Sequence, residues 1–153
     1  MSSPSKSVVL TIRHAEIADA IYTEASVSLA NPELLETENT STTKALWDTG
    51  ATNSCISDRL ARQLGLEAVD YVHVATAAGI EHVPTYFTHL FLPNGLIFKN
   101  WELMQFQYSD DDSDIIIGMD IITQEDFSIT NLDGRTVCSF RIPSQHLVDF
   151  EEE

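Results

Sequence analysis

The sequence predicts an all-β fold with one or two short helices, on three observations. Short runs of β-branched and aromatic residues recur along the chain, as in Val8-Val9-Leu10-Thr11-Ile12; such residues fit a pleated, half-buried surface. Asn94-Gly95 and Asp133-Gly134 are strong hairpin signals, because their residues tolerate the positive φ of a tight turn. Helical patterning is confined to brief segments after Ser57 and after Gly118. A chain of 153 residues buries one core and is too short for two. Residues 8–143 are therefore expected to form a single domain, between a small mobile polar lead at 1–7 and an acidic tail at 144–153.

In chain order, Val8 to Ile12 reads as the first strand. Ile17 to Tyr22 stays open, but Ala25-Ser26-Val27-Ser28-Leu29 alternates apolar and polar residues as a half-buried strand does. Asn31 to Thr43 is rich in Asn, Glu, Ser and Thr, with one proline, and reads as a solvated loop. Ala45-Leu46-Trp47 is a short apolar strand running into Asp48-Thr49-Gly50-Ala51. Between Ser57 and Leu66 one helix is expected: Ser57 can cap it, Leu60 and Leu64 share a face, and Gly65 suits a left-handed stop. Its expected role is packing, not chemistry.

Tyr71 to Thr76 and Ile80 to Val83 flank Ala77-Ala78-Gly79 and read as a hairpin, with Pro84 marking a strand edge or bulge. A second hairpin joins Tyr86–Leu92 to Leu96–Phe106, and a third joins Phe127–Thr130 to Thr136–Ile142. Between them stand the apolar run Ile115-Ile116-Ile117-Gly118 and a short helical pattern, Met119 to Gln124, with Asp120 near its start. The tail from Ser144 is expected to fray. No internal repeat is present.

Composition narrows the function. A net charge of −16 argues against nucleic acid and anionic membrane surfaces as partners, since both would repel the chain. Cys55 and Cys138 are too few for a disulfide framework and are expected to be buried, reduced thiols. No stretch has the length of a membrane span and the polar start lacks a signal-peptide core, so the cytoplasm is the default expectation. No cofactor is implied. His14, His73, His82, His89 and His146 lack zinc-motif spacing. The acidic run Asp110-Asp111-Asp112-Ser113-Asp114 lacks the glycine and terminal glutamate of a calcium loop, with Ile121 where that glutamate would stand, and reads as a solvated loop. A Cys–His nucleophile pair built on Cys55 or Cys138 has no local motif behind it.

Asp48 is the candidate centre of chemistry. A carboxylate ending an apolar strand is costly unless donors satisfy it, and Thr49 and Gly50 can supply a hydroxyl and a closely approaching backbone. An ordinary strand-to-turn junction would produce the same tripeptide; the second apolar element ending at Gly118 is what distinguishes it. Together, Leu46-Trp47-Asp48-Thr49-Gly50-Ala51 and Ile116-Ile117-Gly118 resemble the paired motifs of the retropepsin-like aspartic proteases, over about Lys44 to Pro143. The resemblance implies an acid-protease barrel that is half of a two-fold dimeric protease. Asp48 would be catalytic, Thr49 would hydrogen-bond across the dimer axis, and Gly50 would give its N–H to the carboxylate. Ala51 would line the substrate groove, Ala78 and Gly79 would form the tip of a mobile flap, and Gly118 would let its strand pack on the catalytic loop. An ordinary surface hairpin is the plain alternative for the flap.

Retroviral members carry an Asp–Arg ion pair where this chain has Thr52 and Met119, so the resemblance is closer to the non-viral branch. Trp47 is large for its place and is expected to shape the interface. One Asp-Thr-Gly per chain gives half a site, because aspartic catalysis needs two carboxylates sharing a proton. The expectation is thus a homodimeric aspartic endopeptidase acting on a peptide or protein substrate. The rivals are a non-catalytic dimeric peptide-binding domain of the same fold and a purely structural oligomerisation domain.

Overall fold

The computed structural model describes residues 7–30, 40–109 and 112–153. Turn chemistry sets its hairpins. Strands β6 (Gly79–Leu92) and β7 (Leu96–Phe106) are joined through one 3-10 turn in which Asn94 and Gly95 take φ of 63° and 78°. Strands β9 (Asp126–Leu132) and β10 (Arg135–Ile142) are joined by Asp133 and Gly134 at 54° and 72°. These positive φ values are what Asn, Asp and Gly accept at least cost.

The remaining strands are β1 (Val8–Arg13), β2 (Ile21–Leu29), β3 (Ser41–Trp47), β4 (Cys55–Ser57), β5 (Asp70–Thr76) and β8 (Ser113–Ile117). Six strands follow one another as β2-β3-β8-β4-β7-β6, and β6 pairs back with β2 through Val27↔Leu90 and its neighbours. The sheet therefore closes into a six-stranded barrel and leaves no open edge within the ring. Val27, Ala45, Ile56, Leu90, Leu103, Ile115 and Ile117 fill it. β5 lies outside the ring, paired among the described residues only with the first half of β6, and with it forms a two-stranded arm. Pro84 lies at the base of this arm, just before β7 joins β6, where a residue without an N–H does least harm to a sheet.

A second sheet, ordered β1-β10-β9, covers the barrel. Leu10, Cys138 and Phe140 are buried in the same core as Trp47. Phe140 is 1% exposed, burial that contributes about 2–3 kcal/mol. Helix α1 (Asp58–Gln63) follows β4 with Ser57 as its cap, the hydroxyl accepting the Leu60 N–H, and Gly65 beyond it takes φ of 67°. Helix α2 (Met119–Ile122) follows β8.

Several expectations change. Ser41 to Thr43 are not loop: they begin β3, paired with Val27 to Ala25, and Thr42 hydrogen-bonds Ser26 across the strands. The rest of that segment, 31–39, lies outside the described residues, as do 1–6 of the lead and Asp110 and Asp111 of the acidic run. Asp114 is no solvated loop residue; it is buried in β8. Trp47 points into the core, 7% exposed, stacked 5.7 Å from Phe127 and tilted against Phe140 at 4.7 Å, with its indole N–H on Thr23. The tail begins fastened rather than frayed, since Ser144, Gln145 and His146 all donate to Asp126.

Candidate active site

The site follows from one topological fact. β3 and β8 are parallel neighbours with Trp47 opposite Ile117, so the residues after them, Asp48 and Gly118, emerge side by side. The ladder continues one step further, with Asp48 donating its N–H to the Ile117 carbonyl at 2.9 Å. β4 lies on the other side of β8. The chain between β3 and β4, Asp48 to Ser54, must therefore arch over the end of β8.

That arch leaves no room for a side chain on Gly118. A Cβ there would stand 2.7 Å from the Ala51 carbonyl oxygen and 2.8 Å from the backbone of Asn53. The contact is instead made by hydrogen bonds: Met119 and Asp120 donate their N–H groups to the carbonyls of Ala51 and Thr52 at 2.8 and 3.2 Å. Gly118 donates its own to the Ser54 hydroxyl at 3.0 Å.

Ser54 is completely buried and its hydroxyl donates a hydrogen bond to Asp120 Oδ1 at 2.7 Å. The other oxygen, Oδ2, accepts the Trp101 indole N–H at 3.0 Å. Ser54, Asp120 and Trp101 thus brace the arch from below. Sequence reasoning missed this role in all three. Asp120 stood out only as a helix-start residue, and nothing near Ser54 or Trp101 in sequence marks either.

On the arch, Asp48 is half-buried, and its Oδ1 accepts the Gly50 N–H at 2.8 Å. Thr49 and Gly50 are exposed beside it. The geometry therefore presents a carboxylate with one oxygen held by backbone, at the edge of a surface. Opposite the arch stands the arm: Ala51, Asn53 and Cys55 on one side and Val72 and Val74 of β5 on the other enclose a hollow of about 370 Å³. A second hollow of about 520 Å³ adjoins Asn53, Trp101 and Asp120. Ala78 and Gly79 sit exposed at the tip of the arm, where Thr76 closes the turn on Gly79, and they line neither hollow. The structure thus gathers Asp48, Gly50, Ala51 and Gly118, and holds Ala78 and Gly79 apart from them.

Cysteine chemistry fits poorly. The Cys55 thiol is pushed up to about 11 by burial and then by the charges of Asp120 and Asp48. It donates to the Asn53 carbonyl. Burial likewise pushes Cys138 up to about 11, with Glu125 adding to it. A nucleophilic cysteine needs a lowered value, not a raised one. Among the described residues no group of three or more His, Cys, Asp or Glu side chains is placed to hold a metal ion, and no helix is long and apolar enough to cross a membrane.

The family model described as gag-polyprotein putative aspartyl protease matches residues 36–124, a span that holds the Asp48 arch, the β5–β6 arm and the Gly118 crossing. A retropepsin-like aspartic protease from Rickettsia conorii superposes with a TM-score of 0.53 at 16% identity, covering 92% of this chain and 98% of that one. EIAV protease complexed with the inhibitor HBY-793 gives 0.50 at 15% identity, covering 69% and 86%. No curated protein sequence matches the chain. At these identities the solved structures carry the fold, and the barrel is retropepsin-like.

Proposed function

Because this chain belongs to the gag-polyprotein aspartyl protease family, we propose that it is an aspartic endopeptidase working as a homodimer. The observation that carries the reading is the arch: a single Asp48 carboxylate, held through one oxygen by Gly50, on a turn whose backbone is hydrogen-bonded to Ile117, Met119 and Asp120, at an exposed edge. One carboxylate is half of the required pair. The second comes from Asp48 of another copy, related by a two-fold axis, which is the commonest symmetry of oligomers. Two carboxylates so close share one proton. The ionised one takes a proton from water as that water attacks a peptide carbonyl, and the protonated one polarises the carbonyl.

Exposed Thr49 beside Asp48 is positioned to meet its counterpart across such an axis. β9 offers a further contact, since it ends its sheet and its outer edge carries no partner strand among the described residues, the kind of edge a second chain can extend. The two hollows beside the arch are assigned to substrate side chains, and the β5–β6 arm, with Ala78 and Gly79 at its tip, to a flap over the bound peptide.

The test is Asp48→Asn, assayed on a peptide library with the oligomeric state followed by sedimentation. Loss of one ionisable oxygen removes both general base and shared proton, so cleavage is expected to fall at least ~1,000-fold, with the fold and dimer retained. Equal cleavage by the two proteins, or cleavage by a strict monomer, would overturn the reading.

A further inference from the structure

The β5–β6 arm carries two histidines face to face. His73 and His82 are direct cross-strand partners, so their side chains leave the same face of the hairpin. Both are exposed, and their ring centroids lie 4.2 Å apart with planes at 62°. Nothing in their sequence spacing marks a metal motif; the register of the hairpin makes the pair. Imidazole nitrogen is a preferred donor to first-row divalent metals. Here the sheet already holds the two Cα positions together, so side-chain rotation alone can present one nitrogen from each ring. A net charge of −16 raises the local concentration of cations.

We propose that His73 and His82 form a two-imidazole site for a first-row divalent metal ion, zinc or copper(II), with water completing the coordination. With two protein ligands it is a surface clamp, weaker than the four-ligand centres that fold zinc domains. Its position gives it a consequence. β5 pairs with no strand but β6 among the described residues, and an ion bridging His73 and His82 cross-links the arm midway along that pairing. Val72 and Val74, half-buried, line the hollow across from Ala51 and Cys55, and His73 itself borders it. A stiffened arm therefore slows entry to the hollow. This regulatory consequence rests on the protease reading; the binding site does not.

The experiment titrates zinc and copper(II) separately into the full chain and into His73→Ala, His82→Ala, the double variant and His146→Ala as control. One ion per chain is expected, bound more tightly for copper than for zinc. Each single variant at the pair should lose at least ~10-fold in affinity, and the double variant little more, because one imidazole alone chelates nothing. If an alanine variant fails to fold, the glutamine variant replaces it. Wild-type affinity in both single variants, or an equal loss in His146→Ala, would overturn the site. In parallel, zinc should slow peptide cleavage by the wild type and leave His82→Ala unaffected. Tight binding without slowing would overturn the clamp. Binding as expected with no cleavage by any form would instead remove the protease reading and leave the site standing.

Discussion

Asp114, in β8, and Glu125, just beyond α2, are buried to the same degree, 6% and 7% exposed, yet their surroundings differ in kind. Asp114 is surrounded by donors: Thr43, Ser57 and both Nε and an Nη of Arg59 reach its two oxygens at 2.5–2.9 Å, and Arg59 in turn lies over the Tyr108 ring. Burial pushes its value up, but these hydrogen bonds and the Arg59 charge outweigh that, leaving it below the ordinary range. Both oxygens of Glu125 are buried with no hydrogen-bond partner among the described residues, and desolvation alone pushes it up to about 8. The difference teaches that burial does not decide the charge of an acid; the donors around it do. Asp114 ties α1 to β8 as an anion. Glu125 sits under the second sheet as a neutral acid.

The largest effect that would break this contrast is the pH dependence of stability. A group raised in the folded state stabilises fully below its unfolded value and loses that contribution as pH climbs through its folded one. For Glu125 the window runs from 4.5 to about 8, and the loss across it is at most about 5 kcal/mol. Urea unfolding at pH 5 and pH 9 should show this slope in the wild type and not in Glu125→Gln. A slope that survives the substitution would assign the titration to another group.

Asp114 has the opposite sign. Its contribution is present above the unfolded value of 3.8 and lost as pH falls through the lower folded one. Asp114→Ala is expected to cost about 3 kcal/mol at pH 7, because a buried network loses its common acceptor. The variant's stability should also fall less steeply below pH 4. An acid limb as steep as that of the wild type would show that the network does not depend on this charge. The smallest effect comes from Ser57→Ala, which removes one donor to Asp114 and the helix cap together, at about 1 kcal/mol. A loss as large as that of Asp114→Ala would mean that Ser57, not Arg59, holds the carboxylate.

What the sequence made legible divides along the same line. Asn94-Gly95 and Asp133-Gly134 announce their hairpins because the cause, positive φ, is local. Ser57 and Gly65 bracket α1 for the same reason. Asp48 and Gly118 were legible as a pair because each ends an apolar run. Asp114 was not: its burial depends on Thr43, Ser57 and Arg59, which reach it only through the β3–β8 and β4–β8 pairings. Ser41 to Thr43 read as loop because a polar strand between polar neighbours has no periodicity to display. Ser54, Trp101 and Asp120 meet under the arch from three separate elements, and such convergence leaves no local trace. The β2–β6 pairing that closes the barrel is equally silent.

The arch over Gly118 also fixes when during synthesis a site can exist. The Asp-Thr-Gly turn emerges from the ribosome well before β8, which comes near the end of the barrel. Contacts so distant in sequence form late, since the loop they close must first be collapsed. A nascent or truncated chain ending before Gly118 therefore carries Asp48 without the strand that shapes its turn. The Asp48 turn therefore reaches its folded form only once nearly all of the barrel has been made.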